Sequence, residues 1–122
     1  QYKMKRAKMP DELIDQLTLM PELLTTFKVP TFLKPGYEAD DLIGTLSQKA
    51  EKAGWEVVLV SGDKDLMQLV SNKVKMYDVQ RDGWFNPDGV REQMGVDPEQ
   101  IVDYLALVGD TSDNIPGVKG LS

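Results

Sequence analysis

The chain has 122 residues, and its 14 basic and 20 acidic side chains give a formal net charge of −6. It contains neither His nor Cys, which excludes a Ser-His-Asp triad, a thiolate nucleophile and a zinc site of nitrogen and sulfur ligands. Carboxylates and carbonyls prefer hard cations, so we expect any bound metal to be Mg²⁺, Mn²⁺ or Ca²⁺.

The length and the hydropathy pattern favour a single domain without a membrane segment. The chain lies in the range of roughly 100–150 residues that is typical of one domain, and no apolar run approaches the roughly 20 residues of a membrane span. The absence of Cys fits a reducing compartment, so we expect a cytoplasmic protein. Because the chain starts at Gln1 without an initiator Met and stops in a glycine-containing turn, we interpret it as a fragment.

The N-terminal part combines a basic segment with an amphipathic helix. Residues 1–10 contain basic side chains and no acidic one, a pattern that is typical of a solvated terminus but also suits a phosphate-binding segment. From Asp11 to Phe27 the apolar residues follow helical spacing, and Pro21 is expected to kink or divide the helix. A short strand is predicted around Thr31–Leu33.

The middle of the chain predicts a β-α-β unit. Residues 39–53 place apolar side chains, Leu46 among them, on one helical face, and Gly54 follows as a C-terminal cap. The nearly continuous apolar run 56–61 is typical of a parallel strand that is buried by helices on both faces. A short helix is expected at 64–70 and a second strand at 74–77.

The C-terminal half predicts a hairpin and two further helices. Asp82-Gly83 is a tight-turn dipeptide that leads into Trp84-Phe85. Asn86-Pro87 opens a helix that ends at Gly95, and Asp97-Pro98 opens another that ends at Gly109.

Three groups of acidic residues lie at the ends of these elements. They are Glu38, Asp40 and Asp41 at the start of the helix 39–53, Asp63 and Asp65 after the strand 56–61, and Asp110 and Asp113 after the last helix. Each group has an ordinary structural explanation, because acids stabilise a first helical turn, cap short helices and are common in loops. The carboxyl end of a parallel strand is, however, where open α/β sheets bind ligands.

Considered together, the three groups predict a metal site. Carboxylates that converge in this number repel one another strongly unless cations lie among them. Two ions about 4 Å apart can activate a water, bind a phosphate and stabilise the leaving oxygen of an in-line displacement, and no His is needed.

Two further segments suit a phosphate-containing partner. Lys3 and Arg6 in the basic opening can hold and polarise a phosphate, and Tyr2 can stack on a base. The segment Gly117-Val118-Lys119-Gly120 is either a surface turn or a turn that presents backbone amides and a Lys to a phosphodiester backbone.

Four motifs, in chain order, carry a family resemblance. They are Tyr2-Lys3…Arg6, Glu38-Ala39-Asp40-Asp41, Ser61-Gly62-Asp63-Lys64-Asp65 and Gly109-Asp110-Thr111-Ser112-Asp113-Asn114-Ile115-Pro116-Gly117. Together they resemble the 5′-nuclease (flap endonuclease) family, most closely the N-terminal 5′-3′ exonuclease domains of bacterial polymerases of the DNA polymerase I type. The resemblance implies a PIN-like, three-layer α/β fold with a central, mainly parallel sheet, and metal-dependent cleavage of DNA in replication and repair.

The resemblance also implies a role for each candidate residue. It places residues 1–108 in the nuclease core, with part of a helical arch at 1–27, and residues 109–122 at the start of a helix-three-turn-helix that grips duplex DNA. Two or more Mg²⁺ or Mn²⁺ ions are implied at the carboxylates, and K⁺ at the helix-three-turn-helix. The implied metal ligands are Glu38, Asp40, Asp41, Asp63, Asp65, Asp110 and Asp113, the implied catalytic residues are Lys3 and Arg6, and the implied DNA-binding residues are Tyr2, Lys3, Arg6, Gly117, Lys119 and Gly120.

The expected partner is DNA with a 5′ flap or a 5′ end. The chain is expected to be monomeric, to act in the bacterial nucleoid and to be followed by a polymerase domain in the same polypeptide. The family's first strand and early aspartates are expected upstream of Gln1, and Ser122 stands where the pattern usually has Gly. The isolated chain is therefore expected to be inactive or weakly active.

Two alternatives remain. In the first, the chain is a catalytically incomplete DNA-binding or scaffolding fragment of the same fold. In the second, the chain is a phosphatase, because its segment 109–113 has a likeness to the acidic motif of haloacid-dehalogenase-type phosphatases. The second is disfavoured because Ser61-Gly62 separates Asp63 from its strand and because a helix is predicted before Asp110.

Overall fold

The computed structural model describes residues 9–111 and 113–121, so Tyr2, Lys3 and Arg6 lie outside the described residues. Three helices precede the first strand, and helices and strands are mixed along the rest of the chain. The helices are α1 (Asp11–Thr18), α2 (Met20–Thr26), α3 (Ala39–Lys52), α4 (Pro87–Met94) and α5 (Ile101–Val108), and two 3₁₀ helices span Lys64–Leu69 and Pro98–Gln100. The strands are β1 (Val57–Val60), β2 (Val74–Asp78), β3 (Gly83–Phe85), β4 (Gly109–Asp110) and β5 (Ile115–Pro116).

The central sheet has the order β1-β2-β3. β1 and β2 run parallel with Val57 opposite Val74, which confirms the predicted parallel pair, and the 3₁₀ helix Lys64–Leu69 forms part of their connection. β2 and β3 are antiparallel, as the predicted hairpin requires, but residues 79–82 connect them and Gly83 already pairs with Asp78 in β3. The prediction of a tight turn at Asp82-Gly83 is therefore wrong in its position, although Asp82 has a φ of 48° at the end of the connection. The chain is therefore of the α/β class.

One face of the sheet forms the core. It carries Leu59, Met76 and Phe85, which pack with buried residues of the neighbouring helices. α3 contacts β1 and α4 contacts β3. The opposite face is open, since Val60 is 65% exposed and Trp84 is exposed as well. The prediction that helices bury this strand on both faces is therefore wrong for the described residues, because the helices that contact it pack on one side.

The N-terminal helical pair matches the prediction in part. The helix divides at Leu19, and Pro21 lies in the first turn of α2 as expected. Neither helix has a buried residue. The prediction of a strand around Thr31–Leu33 is wrong: the segment forms no regular secondary structure, and Leu33 is 94% exposed.

Helix ends follow the capping residues of the sequence. α3 begins with a reciprocal capping box between Glu38 and Asp41 and ends at Lys52, two residues before Gly54, which has a φ of 90°. The Asn86 side chain accepts a hydrogen bond from the Gly89 amide at 2.8 Å, at the start of α4. Within α3 the buried face is rotated from the predicted one, because Ser47 is buried whereas Leu46 is exposed.

A small hairpin of β4 and β5 follows α5, and the sequence did not predict it. Its two glycines allow a close backbone crossing, since a Cβ on Gly109 would lie 2.3 Å from the Gly117 nitrogen and a Cβ on Gly117 would lie 2.1 Å from the Val108 oxygen. No helix follows Val108 in the ranges 109–111 and 113–121. Nor does any described helix have the length and apolarity to cross a bilayer.

Candidate metal centre

The loop after β1 holds two carboxylates at the carboxyl end of the parallel pair. The Ser61 amide donates to the Tyr77 carbonyl at 3.1 Å and extends the pairing by one residue. The Asp63 amide donates to the Ser61 hydroxyl, and the Asp65 amide donates to Oδ1 of Asp63, each at 3.0 Å. Asp63 therefore caps the 3₁₀ helix, which is the ordinary structural role expected for an acid at this place. The cap also holds the Asp63 carboxylate beside Asp65.

Asp65 lies in an environment that disfavours its negative charge. Its Oδ1 is buried and has no hydrogen-bond partner among the described residues. Burial is the largest cause that raises the pKa of Asp65, and the charges of Asp63, Asp110 and Asp113 raise it further, whereas Lys64 lowers it. A cation beside Asp65 would relieve both the desolvation and the repulsion.

Asp110 and Asp113 reach this region from the hairpin after α5. Asp110 belongs to β4, and its side chain is only 11% exposed. Its Oδ2 lies 3.1 Å from Nζ of Lys64, so an ion pair joins the hairpin to the loop after β1. Asp113 is half-buried, and its charge acts on Asp65. The acidic groups predicted after the strand 56–61 and after the last helix thus lie near each other.

The start of α3 faces the same 3₁₀ helix across a cavity of about 420 Å³. Asp40, Asp41 and Asp65 all line this cavity, which is open to solvent and predominantly polar. Asp41 also accepts a hydrogen bond from the Glu38 amide at 2.9 Å within the capping box. The capping explanation therefore holds for Glu38 and Asp41, and Glu38 does not line the cavity.

These carboxylates do not form a finished coordination sphere. Within the described part of the chain, no group of three acidic side chains has the geometry to hold a metal ion. The residues still fit a hard divalent cation, because the donors are oxygens and Oδ1 of Asp65 is a buried acceptor without a donor. The described residues around Asp65 therefore fit a hard cation in their donor chemistry but do not form a three-ligand group.

Asp78 is a buried carboxylate that the sequence analysis missed. It ends β2, and its Oδ1 accepts hydrogen bonds from the amides of Gln80 and Arg81. The Arg81 guanidinium adds an ion pair at 3.6 Å. Its position at the carboxyl end of a predicted strand was the available signal. Because these partners satisfy Asp78, it organises the β2–β3 turn.

Lys64 was also missed as a site residue, although it stands between Asp63 and Asp65 in the sequence. Its contact with Asp110 needs the tertiary fold, since the two residues belong to separate elements. A Lys between two acids in a turn carries no local signal for such a partner.

The segment 117–120, which is predicted to bind a DNA backbone, ends in an exposed turn at Lys119 and Gly120. The Val118 amide donates to the Leu107 carbonyl at 2.7 Å, so this amide is engaged within the protein. Gly117 is required by the close crossing of the chain at Val108. Lys119 and Gly120 are exposed, and Gly120 has a φ of 96°.

Comparison with known proteins identifies related sequences over nearly the whole chain. A family model described as a 5′-3′ exonuclease, N-terminal resolvase-like domain, matches residues 1–95. DNA polymerase I of Bacillus caldotenax is 47% identical over 126 residues, which cover 99% of this chain and 14% of that protein. A 5′-3′ exonuclease of Aquifex aeolicus is 44% identical over 120 residues, 98% of this chain and 42% of its own length. The chain therefore spans less than half the length of these relatives.

Solved structures share the fold. A variant of the 5′-exonuclease of bacteriophage T5 matches 90% of this chain and 45% of its own, with a TM-score of 0.83 and 31% identity. A complex of the bacteriophage T5 flap endonuclease with DNA and metal ions matches 99% of this chain and 48% of its own, with a TM-score of 0.81 and 26% identity.

Proposed function

The chain belongs to the 5′-3′ exonuclease family with an N-terminal resolvase-like domain, and on that premise we propose that it supplies metal-binding carboxylates to an enzyme that hydrolyses DNA at 5′ ends and flaps. The observation that carries the proposal is the buried, partnerless Oδ1 of Asp65, with three further carboxylates acting on its pKa. The relatives are 5′-3′ exonucleases and polymerases with such a domain, which supports the same chemistry.

Asp63, Asp65, Asp110 and Asp113 bind one side of the metal site in this proposal, and Asp40 and Asp41 bind from α3. Glu38 contributes by holding Asp41 through the capping box. Mg²⁺ or Mn²⁺ suits these oxygen ligands, and two such ions supply an activated water and neutralise the phosphate. Asp63 has a double role, because its Oδ1 caps the 3₁₀ helix while its second oxygen remains for a cation.

The DNA contacts of the proposal lie at the two ends of the chain. Lys3 and Arg6 hold the scissile phosphate, and Tyr2 stacks on a base. Lys119 and Gly120 meet the backbone of duplex DNA at an exposed turn, with Gly117 shaping the approach and K⁺ bound at the same motif. Residues 1–108 form the nuclease core, and 109–122 begin the duplex-binding motif.

The setting of the proposal is a longer, monomeric protein that works on DNA in the bacterial nucleoid. The chain covers 14% of DNA polymerase I of Bacillus caldotenax, which supports a polymerase domain in the same polypeptide. Substrates of that whole protein are DNA molecules with a 5′ flap or a 5′ end.

Cleavage of a 5′-labelled flap duplex in Mn²⁺ tests the proposal. Asp63→Asn removes the charge but keeps a capping side chain, so loss of cleavage in this variant reports on the metal site and not on the cap. Glu92→Gln, an exposed acid on α4, is the matched charge control. We expect weak Mn²⁺-dependent cleavage by the wild type and by Glu92→Gln, and none by Asp63→Asn. Cleavage that persists in Asp63→Asn would contradict the assignment.

A second function, DNA binding without catalysis, is favoured by one observation. No three acidic side chains of the described residues are arranged to hold an ion. Under this alternative the chain binds flap DNA equally well with EDTA and with Mn²⁺, and it releases no labelled product. Metal-dependent product release would exclude it.

A further inference from the structure

Lys64 occupies a central place among the carboxylates of the candidate metal centre. It opens the 3₁₀ helix between Asp63 and Asp65, and its Nζ lies 3.1 Å from Oδ2 of Asp110. The contact is tertiary, since Asp110 belongs to the hairpin after α5. One ammonium group therefore joins the acids of the loop after β1 to those of the hairpin after α5.

Lys64 is the one positive charge among those that act on the pKa of Asp65 in the described part of the chain. Asp63, Asp110 and Asp113 all act on Asp65 in the same direction, and Lys64 opposes them. The described carboxylates of this region thus have a monovalent counter-ion that belongs to the protein. A divalent cation that bound to the same carboxylates would meet both the attraction of the acids and the repulsion of this ammonium.

The two partners of the ion pair differ in exposure. The Lys64 side chain is 42% exposed, whereas that of Asp110 is 11% exposed. A Lys ammonium is strongly hydrated and sits on a flexible stem, so it can turn into solvent at small cost. Asp110 is constrained by the β4–β5 pairing and keeps its place. Lys64 is the partner that can leave.

We propose that Lys64 is a positioning residue that neutralises Asp110 in the metal-free protein and leaves it when a divalent cation binds. The inference rests on the proposed function, because it concerns the same carboxylates. Lys64 keeps the acids together before the metal arrives, and it competes with the metal afterwards. It therefore sets the metal concentration at which the site fills.

Mn²⁺ titration of the 122-residue chain, followed by the electron paramagnetic resonance of free Mn²⁺, tests the competition. Lys64→Met removes the ammonium and keeps an unbranched stem. Lys52→Met makes the same change of charge in the last turn of α3, far from the Asp40 end of that helix. We expect Lys64→Met to bind Mn²⁺ about 2- to 5-fold more tightly than wild type, as for loss of a partly exposed ion pair. Lys52→Met and Lys64→Arg should stay within about 2-fold of wild type.

Thermal unfolding in EDTA gives a second readout that needs no metal. Lys64→Met should unfold at a lower temperature than Lys52→Met, because the acids lose their counter-ion. Unchanged or weaker Mn²⁺ binding by Lys64→Met would overturn the proposal and leave the proposed function intact. Absence of Mn²⁺ binding in every variant would contradict both the competition and the metal-dependent function, and equal unfolding temperatures in EDTA would show that Lys64 does not neutralise Asp110.

Discussion

The sheet and the helical pair α1–α2 use apolar residues in opposite ways. Met76 and Val90 are fully buried around the sheet, whereas Leu17 in α1 is 43% exposed and neither α1 nor α2 has a buried residue. Both regions show a clear apolar pattern in the sequence, a nearly continuous run at 56–61 and helical spacing at 11–27. An apolar pattern therefore identifies the face of an element that avoids water, but it does not predict which element covers that face, because this depends on tertiary packing.

The candidate metal centre belongs to the packed region. Leu66 and Met67 directly follow Asp65 and are buried in the core, so they anchor the 3₁₀ helix that carries it. Packing of these residues therefore fixes the position of the Asp65 carboxylate. The acids of α1 and α2 lie on helices that have no buried residue. A metal site needs such support, since ligands must be held in place by the surrounding structure.

The largest effect should come from truncating the core. Met76→Ala removes a fully buried side chain, so we expect a loss of about 2–5 kcal/mol in the free energy of unfolding, measured with urea. Leu17→Ala, in the helical pair, should cost about 0.5 kcal/mol. Similar losses for the two variants would break the comparison and show that α1–α2 is as well packed as the sheet.

An intermediate effect is expected where the chain crosses itself next to Asp110. Gly117→Ala places a Cβ against the Val108 carbonyl, so we expect a loss of about 1–3 kcal/mol in the same urea experiment. Gly44→Ala in α3 is the control, because its Cβ would lie 3.7 Å from Leu69, an ordinary contact, and should stabilise the helix by up to about 1 kcal/mol. An unchanged free energy of unfolding in Gly117→Ala would mean that the β4–β5 hairpin opens without affecting the packed region.

A smaller effect concerns the pH dependence of the metal-free protein. The pKa of Asp65 is raised in the folded state by burial first and by neighbouring acids second. The folded protein therefore holds this proton more tightly than the unfolded chain, so the associated stability is present at low pH and is lost as pH rises through the raised pKa. Urea unfolding in EDTA over a pH series should show this component in the wild type and not in Asp65→Asn. Identical pH profiles of wild type and Asp65→Asn would show that folding does not raise the pKa of Asp65.

Local signals made most of the packed region predictable. The caps at Glu38, Asn86 and Gly95 mark the bounds of α3 and α4 because side-chain and glycine caps act within one turn. The parallel strand β1 was predicted because the apolar run 56–61 comes directly after the helix 39–53. The open outer face at Val58 and Val60 could not be predicted, since a sheet face is buried only if another element packs on it.

For the candidate site, the sequence predicted which acids lie near one another but not the contacts that they make. The residues Asp63, Asp65 and Asp110 were identified from their places at strand and helix ends, and the fold brings them together. The ion pair of Lys64 with Asp110 and the crossing at Gly117 were missed, because each joins residues through tertiary packing that no spacing in the sequence records. The prediction of a strand around Thr31–Leu33 failed because a strand needs a partner.

Mn²⁺ binding by Asp65→Asn tests the central claim, that the carboxylates around Asp65 hold a divalent cation. The substitution keeps the size of the side chain and removes the charge at the buried Oδ1. We expect wild type and Glu92→Gln to bind Mn²⁺ with equal affinity and Asp65→Asn to bind at least about tenfold more weakly. Equal Mn²⁺ affinity of Asp65→Asn and wild type would contradict the claim.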